Sequence, residues 1–251
     1  MLGLERRGAA DVLWLDRPPV NAADLDSLTE LADAVDRLRT ESDGPLVLSG
    51  RGGAFSAGAD LHRVVEGDAG YAAAFVAGLV RAFTTLFSYP RPVVGAVNGH
   101  AIAGGAILAC CCDHAVAADG AVKIGVTELA VGVPYPLAAL EVVRHAVAPE
   151  RFEEVVFLAR TYPPEEARAL GFVAEVVPPD EVLDRALAVA ERLGRVPPAT
   201  YELIKRAVRR PVLERVEAWG PGHDAAATAG WQSDEVRSAI RAFLARTIAR
   251  R

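Results

Sequence analysis

The sequence predicts an α/β fold, on three observations. Short apolar runs bounded by Gly and Pro alternate with stretches of helical period, the runs are apolar on both faces, and helical patterning takes over beyond residue 197. A strand with one wet face alternates apolar and polar residues, whereas one covered on both sides reads as continuous hydrophobicity, so these runs belong to a sheet between helices. The 251 residues suffice for one complete core. We expect a core domain over 1–196 and a helical region over 197–251, packed against the body or against another subunit.

DVLWLD, 11–16, is the first expected strand, stopped by Arg17-Pro18-Pro19 because proline offers no N–H to a ladder. From Asp24, Leu25, Leu28, Leu31, Val35 and Leu38 recur every three or four residues and predict a helix. PLVLSG, 45–50, is a buried strand and RGGAFSAGAD, 51–60, a loop. Phe75, Leu79, Phe83 and Leu86 mark a second helix ending before Tyr89-Pro90. PVVGAV, 92–97, is a strand, Gly99 to Gly105 a turn, and a helix then runs into Asp113. HAVAA and AVKIGV are short strands. Pro163-Pro164 opens a helix that stops at Gly171, FVAEVV is the last strand, and Asp180 caps a helix reaching Leu193.

A formal charge of −6 argues against a nucleic-acid surface, which needs concentrated Lys and Arg. KRAVRR, 205–210, reads as a solvated helix face. Cys110, Cys111 and Cys112 are consecutive and point about 100° apart on a helix, so they read as buried reduced thiols, and no metal site is expected. Val93 to Cys112 has the length of a bilayer span, but Asn98 and His100 interrupt it, so no membrane partner is expected. The first residues lack a signal-peptide pattern, and a cytoplasmic location is the expectation.

Two stretches share one design. Phe55-Ser56-Ala57-Gly58-Ala59-Asp60 and Gly99 to Gly105 each lead from a strand through small residues into a helix, whose first N–H groups have no intrahelical acceptor and favour an anion. If the loops meet, two amides grip one oxygen. Neither matches a phosphate-binding glycine pattern.

GGAFSAGADL and VNGHAIAGGAILACCCD together resemble the paired signatures of the crotonase family, the enoyl-CoA hydratases and isomerases. LDRPPVNAADLDSLTEL, KIGVTELAVGVP and TYPPEEARALGFVAEVVPPDEV match further family blocks in order. The resemblance implies a spiral of ββα units, a C-terminal helical trimerisation region, homotrimers or hexamers, and acyl-CoA thioester substrates of fatty acid metabolism. It puts the oxyanion hole on the Ala57 and Gly104 amides, and substrate or coenzyme A contacts on Ala57, Gly58, Ala59, Asp60, Leu61 and Gly104. No cofactor is implied beyond the coenzyme A of the thioester itself.

Family hydratases carry two glutamates. The first position holds Ile107 here, and the second keeps its acid as Glu128. Hydration needs a water that is both held and activated, a task for two carboxylates. A single carboxylate suffices to move a proton from C2 of a 3-enoyl thioester to C4, and desolvation raises its pKa towards the working pH. Glu128 is therefore the expected acid/base of a 3-enoyl-CoA to 2-enoyl-CoA isomerase, with Ile107 and Tyr135 as pocket residues. His100 is assigned to packing, Glu141 lies beyond reach, and Arg246 is a candidate for the coenzyme A phosphates. The alternatives are hydration by Glu128 alone, a non-catalytic acyl-CoA-binding protein, and a thioesterase using Ser56.

Overall fold

The computed structural model describes residues 2–248. Leu2–Arg7 (β1) and Ala10–Leu15 (β2) form an antiparallel hairpin turned at Gly8, where φ is 59°. Sequence reading passes over β1 because LGLERR is an edge strand, half exposed and ending in three charges, with no apolar run to mark it. The helix Leu25–Glu41 (α1) begins where expected. Asp24 accepts from Ser27 N–H at 3.0 Å, and Ser27 Oγ returns a bond from Asp24 N–H at 2.9 Å, a reciprocal cap.

The chain then repeats one manoeuvre three times. Leu46–Gly50 (β3) and Ala54–Ser56 (β4) precede Leu61–Glu66 (α2) and Ala69–Phe87 (α3). Val93–Val97 (β5) and His100–Ile102 (β6) precede Gly104–Cys110 (α4). His114–Ala118 (β7) and Ile124–Gly125 (β8) precede Glu128–Val131 (α5) and Leu137–Ala146 (α6). Phe152–Leu158 (α7), Pro164–Leu170 (α8), Glu175–Val177 (β9) and Val182–Gly194 (α9) follow. The long strands make a sheet in the order β1-β2-β3-β5-β7-β9, parallel except for the hairpin, and the short strands make a second parallel sheet, β4-β6-β8. Each turn therefore adds one strand to each sheet before its helix, a spiral of ββα units.

Three expectations are corrected here. β4 and β6 lie inside the stretches read as loops, since strands of three residues are too short to show a period. α4 ends at Cys110 instead of running into Asp113, whose N–H donates to Val93 O at 2.8 Å. Asp180 is not a cap: it sits in a 3₁₀ turn, Pro179–Glu181, and α9 starts after Glu181 without a side-chain bond.

Both faces of the large sheet are covered. Val12, Val47, Val94 and Val116 pack against Val182, Ala186 and Val189 of α9, while Leu13 and Leu48 face the main core with Leu31 of α1 and Phe75 and Phe83 of α3. Each fully buried aliphatic contributes about 1.5–3 kcal/mol. Residues 93–112 break into β5, β6 and α4. α3 is long and apolar enough to cross a membrane, yet its apolar face is buried against α1, α6 and the helix Pro198–Gln232 (α10). α10 packs on α3 and α6 of its own chain. Asp234–Ile248 (α11) packs on α2 and α5.

Candidate active site

The two small-residue loops meet, and glycine is what lets them. Gly58 has φ 80°, and a Cβ there would come to 2.8 Å from Ile102 O and 3.0 Å from Gly104 N. At Gly105 a Cβ would lie 2.2 Å from Ser56 O, inside van der Waals contact. Between them Ala103 takes a left-handed φ of 53° and is pinned by its N–H to Gly125 O at 2.8 Å. α4 makes its first helical bond from Ile107 N–H to Ala103 O at 3.1 Å, so the Gly104 N–H at the first turn has no intrahelical acceptor.

The other donor is not the expected one. Ala57 N–H donates to Val20 O at 3.0 Å, which removes it from an oxyanion hole. Gly58 N–H is held by Ser56 Oγ at 3.2 Å. Asp60 N–H donates to Ala23 O at 2.7 Å, and Ala23 N–H to Gly58 O at 2.7 Å, so extended backbone turns the intervening Ala59 N–H away from Ala23. Among the described residues that N–H finds no acceptor. The free N–H is therefore that of Ala59, two residues beyond Ala57, which motif position alone does not reveal.

Ala57, Ala59, Leu61, Gly104, Ile107 and Glu128 line one cavity of about 100 Å³. Gly58 and Asp60 do not line it. Gly58 provides the close approach of the loops, and the Asp60 carboxylate is engaged by Arg17 Nη2 at 2.9 Å and by Arg63 N–H at 3.2 Å. Sequence reading gave no sign that Trp231 of α10 and Phe243 of α11 close the same cavity, because a contact between residues over a hundred positions apart leaves no local pattern. Ser56 is buried and donates to Asn21 O at 2.8 Å, so it is a scaffold hydroxyl and not a nucleophile. His100 Nδ1 accepts from Lys123 N–H at 3.1 Å and supports the second sheet. Arg246 is exposed, one helical turn beyond Phe243.

Glu128 opens α5 and is 8% exposed. Burial pushes its carboxyl up to about 7, against the opposing pull of the Thr127 and Glu128 main-chain groups and the Tyr135 hydroxyl. No cation faces it among the described residues, and its Oε2 is buried without a hydrogen bond. Ile107, 2% exposed, adds hydrocarbon to the cavity wall. Tyr135 is corrected as a pocket residue: its neighbours Pro134 and Pro136 line the cavity, while its ring lies behind the wall with the hydroxyl against Glu128. Glu141 is buried elsewhere, paired with Arg215 at 2.6 Å and Arg144 at 3.3 Å.

A larger cleft of about 510 Å³ lies beyond the end of α4, lined in part by Asp113, Lys205 and Arg209. Its charges are spent on each other, Lys205 at 2.7 Å and Arg209 at 2.6 Å from Asp113. Cys110 and Cys112 also line it, and burial raises their thiols, that of Cys112 to about 12, so both stay protonated at neutral pH.

The sequence profile described as enoyl-CoA hydratase/isomerase matches residues 5–248. The chain belongs to that family. A solved structure of a probable enoyl-CoA hydratase from Mycobacterium tuberculosis is 33% identical, with a TM-score of 0.83 over 90% of this chain and 94% of that one. The human mitochondrial enoyl-CoA delta isomerase 1 is 26% identical over 208 residues, 82% of this chain and 69% of that protein. A crystal structure of human mitochondrial delta3-delta2-enoyl-CoA isomerase superposes with a TM-score of 0.94 over 100% of this chain and 99% of that one, at 24% identity, a likeness of fold. The family thus places this enzyme among those that process enoyl-CoA, and its relatives bear both names.

Proposed function

We propose that this family member shifts the double bond of a 3-enoyl-CoA to the 2-position, with Glu128 as its only acid/base. The carrying observation is that, among the described residues, Glu128 is the one carboxylate lining a cavity whose other side chains, Ile107 included, are apolar apart from the Thr127 hydroxyl and the Trp231 indole N–H, which donates to Pro134 O. The ionised carboxylate takes a proton from C2, leaving a dienolate whose oxygen is held by the Ala59 and Gly104 N–H groups, and the resulting acid gives the proton to C4. One such donor is worth about 3 kcal/mol of barrier. A proton affinity near neutrality suits a group that must accept and return one proton in each turnover. Addition of water has less support, since the described residues lining the cavity include no second carboxylate.

The reading calls for no metal and no cofactor beyond the coenzyme A of the substrate, with Arg246 as a candidate for its phosphates. It takes the chain to be a cytoplasmic homotrimer or hexamer; Leu203, Ile204 and Val208, exposed along α10, support self-association. The test is to incubate 3-enoyl-CoA and 2-enoyl-CoA substrates separately with the protein and with Glu128→Gln. We expect 3-enoyl-CoA to be converted to 2-enoyl-CoA and no 2-enoyl-CoA to be hydrated, with kcat lowered about 10²–10⁴-fold in the variant. Hydration of 2-enoyl-CoA without isomerisation, or equal turnover by the variant, rejects the reading.

A further inference from the structure

Behind the cavity wall lies a second polar group that the chemistry above does not use. Tyr135 is 4% exposed, and its hydroxyl is sealed from solvent without a hydrogen-bond partner, as is Glu128 Oε2. The two groups lie against one another. Leaving two buried polar atoms unpaired side by side is costly, and a small rotation of either side chain pairs them. With Oε2 turned to the interior, Oε1 is the oxygen left to the cavity.

The backbone that carries Tyr135 is fixed from several directions. Pro134 and Pro136 restrict the chain on both sides. α10 then grips the segment: the Nε2–H of His223 donates to Tyr135 O at 2.8 Å, the Nε1–H of Trp231 donates to Pro134 O at 2.9 Å, and Leu137 N–H donates to Asp224 Oδ1 at 2.7 Å. The phenol is thus carried on a fixed backbone and buried beside the Glu128 carboxylate.

We propose that Tyr135 is a positioning residue for Glu128, its hydroxyl donating to Oε2 whenever the carboxylate is ionised, so that Oε1 alone receives and returns the substrate proton. This rests on the reading of Glu128 as the acid/base. Burial and the neighbouring carboxylate raise the phenol far above its ordinary value, so it is a donor at every working pH and never competes for the proton. A donor on Oε2 favours the ionised form, which confines the carboxyl proton to the oxygen facing the substrate. The other polar groups facing the carboxylate are the main-chain groups of Thr127 and Glu128 at the start of α5, and no charged side chain of the described residues bears on it. Tyr135 is therefore the side chain that sets its proton affinity against desolvation.

The experiment titrates Glu128 directly, by carbon NMR of protein labelled at glutamate carboxyls, with Glu128→Gln assigning the signal. In the unaltered protein the midpoint is expected at about 7. Tyr135→Phe keeps the ring and removes the donor, and should raise the midpoint by about one unit, with kcat at about pH 7 down about fivefold and KM within about twofold. A 3-fluorotyrosine at position 135, a stronger donor of nearly the same shape, should lower the midpoint by a few tenths of a unit, and it serves even if Tyr135→Phe does not fold. Midpoints unmoved by either change overturn the proposal. If they move as expected while no enoyl-CoA is isomerised by the unaltered protein, the contact stands and the functional reading fails.

Discussion

The molecule buries acidic side chains in two ways, and the contrast separates scaffold from chemistry. Asp113, at the end of the α4 segment, receives Lys205 and Arg209 from α10 and the Val93 N–H at 2.7 Å, while Lys205 also reaches Arg91 O at 2.9 Å. Desolvation lowers Lys205 to about 8, against the attraction of Asp113, so it remains charged at neutral pH. Glu128 is 8% exposed and receives no cation among the described residues. A charge whose partners are fixed is locked in one state and ties elements together. One that is desolvated and unpaired sits near the balance between its two protonation states, as a proton carrier must.

The most severe way to break this comparison is Asp113→Ala, which strands two buried cations. We expect a loss of about 3–5 kcal/mol in urea unfolding, with little change in kcat per folded molecule. A loss below 1 kcal/mol would mean that the cluster is not the tie we describe. Next, Gly58→Ala forces a Cβ against Ile102 O at a left-handed φ and displaces the loop that presents Ala59. About a hundredfold lower kcat is expected with bulk stability less affected, read by parallel kinetics and denaturation.

Glu128→Gln should act on stability in the opposite sense to Asp113→Ala. The folded protein binds the Glu128 proton up to about 7, whereas the unfolded chain releases it near 4.5. The native state therefore holds the extra proton between those values. Stability is lost as pH rises from 4.5 to 7, and the cost is complete above 7. Relative to its effect at pH 4, the variant should gain about 1–3 kcal/mol at pH 8, measured by unfolding at both pH values. The smallest effect sharpens the same point in catalysis: kcat/KM should rise with pH to a plateau above about 7, tenfold lower one unit below the midpoint. A flat profile from pH 5 to 8 would show that Glu128 is not the group that must be ionised.

Much of this was legible without coordinates. The period of Leu28, Leu31, Val35 and Leu38, with Asp24 before it, specifies α1 because capping and amphipathicity act over a few residues. Pro163-Pro164 and Gly171 bracket α8 for the same reason. β1, β4 and β6 were not legible, since an edge strand of charged residues and strands of three residues form only when a neighbour supplies the ladder. Glu128, Ile107 and Gly104, expected from their motifs, line one cavity. Ala57 was misassigned because backbone donors look alike in sequence: whether an N–H is free depends on which carbonyl lies opposite, and Val20 is 37 residues away.

By itself the sequence determined the α/β class and the family, and it placed Ile107 and Glu128 within the family's motif blocks. These depend on residue identity and short-range period. Only the tertiary structure decided that Ala59 offers the free amide, that Trp231 and Phe243 close the cavity from the C-terminal helices, and that Tyr135 stands behind Glu128 instead of in front of it. Hydrogen-bond saturation and desolvation are properties of what surrounds an atom, and those surroundings are assembled from parts of the chain that carry no record of one another.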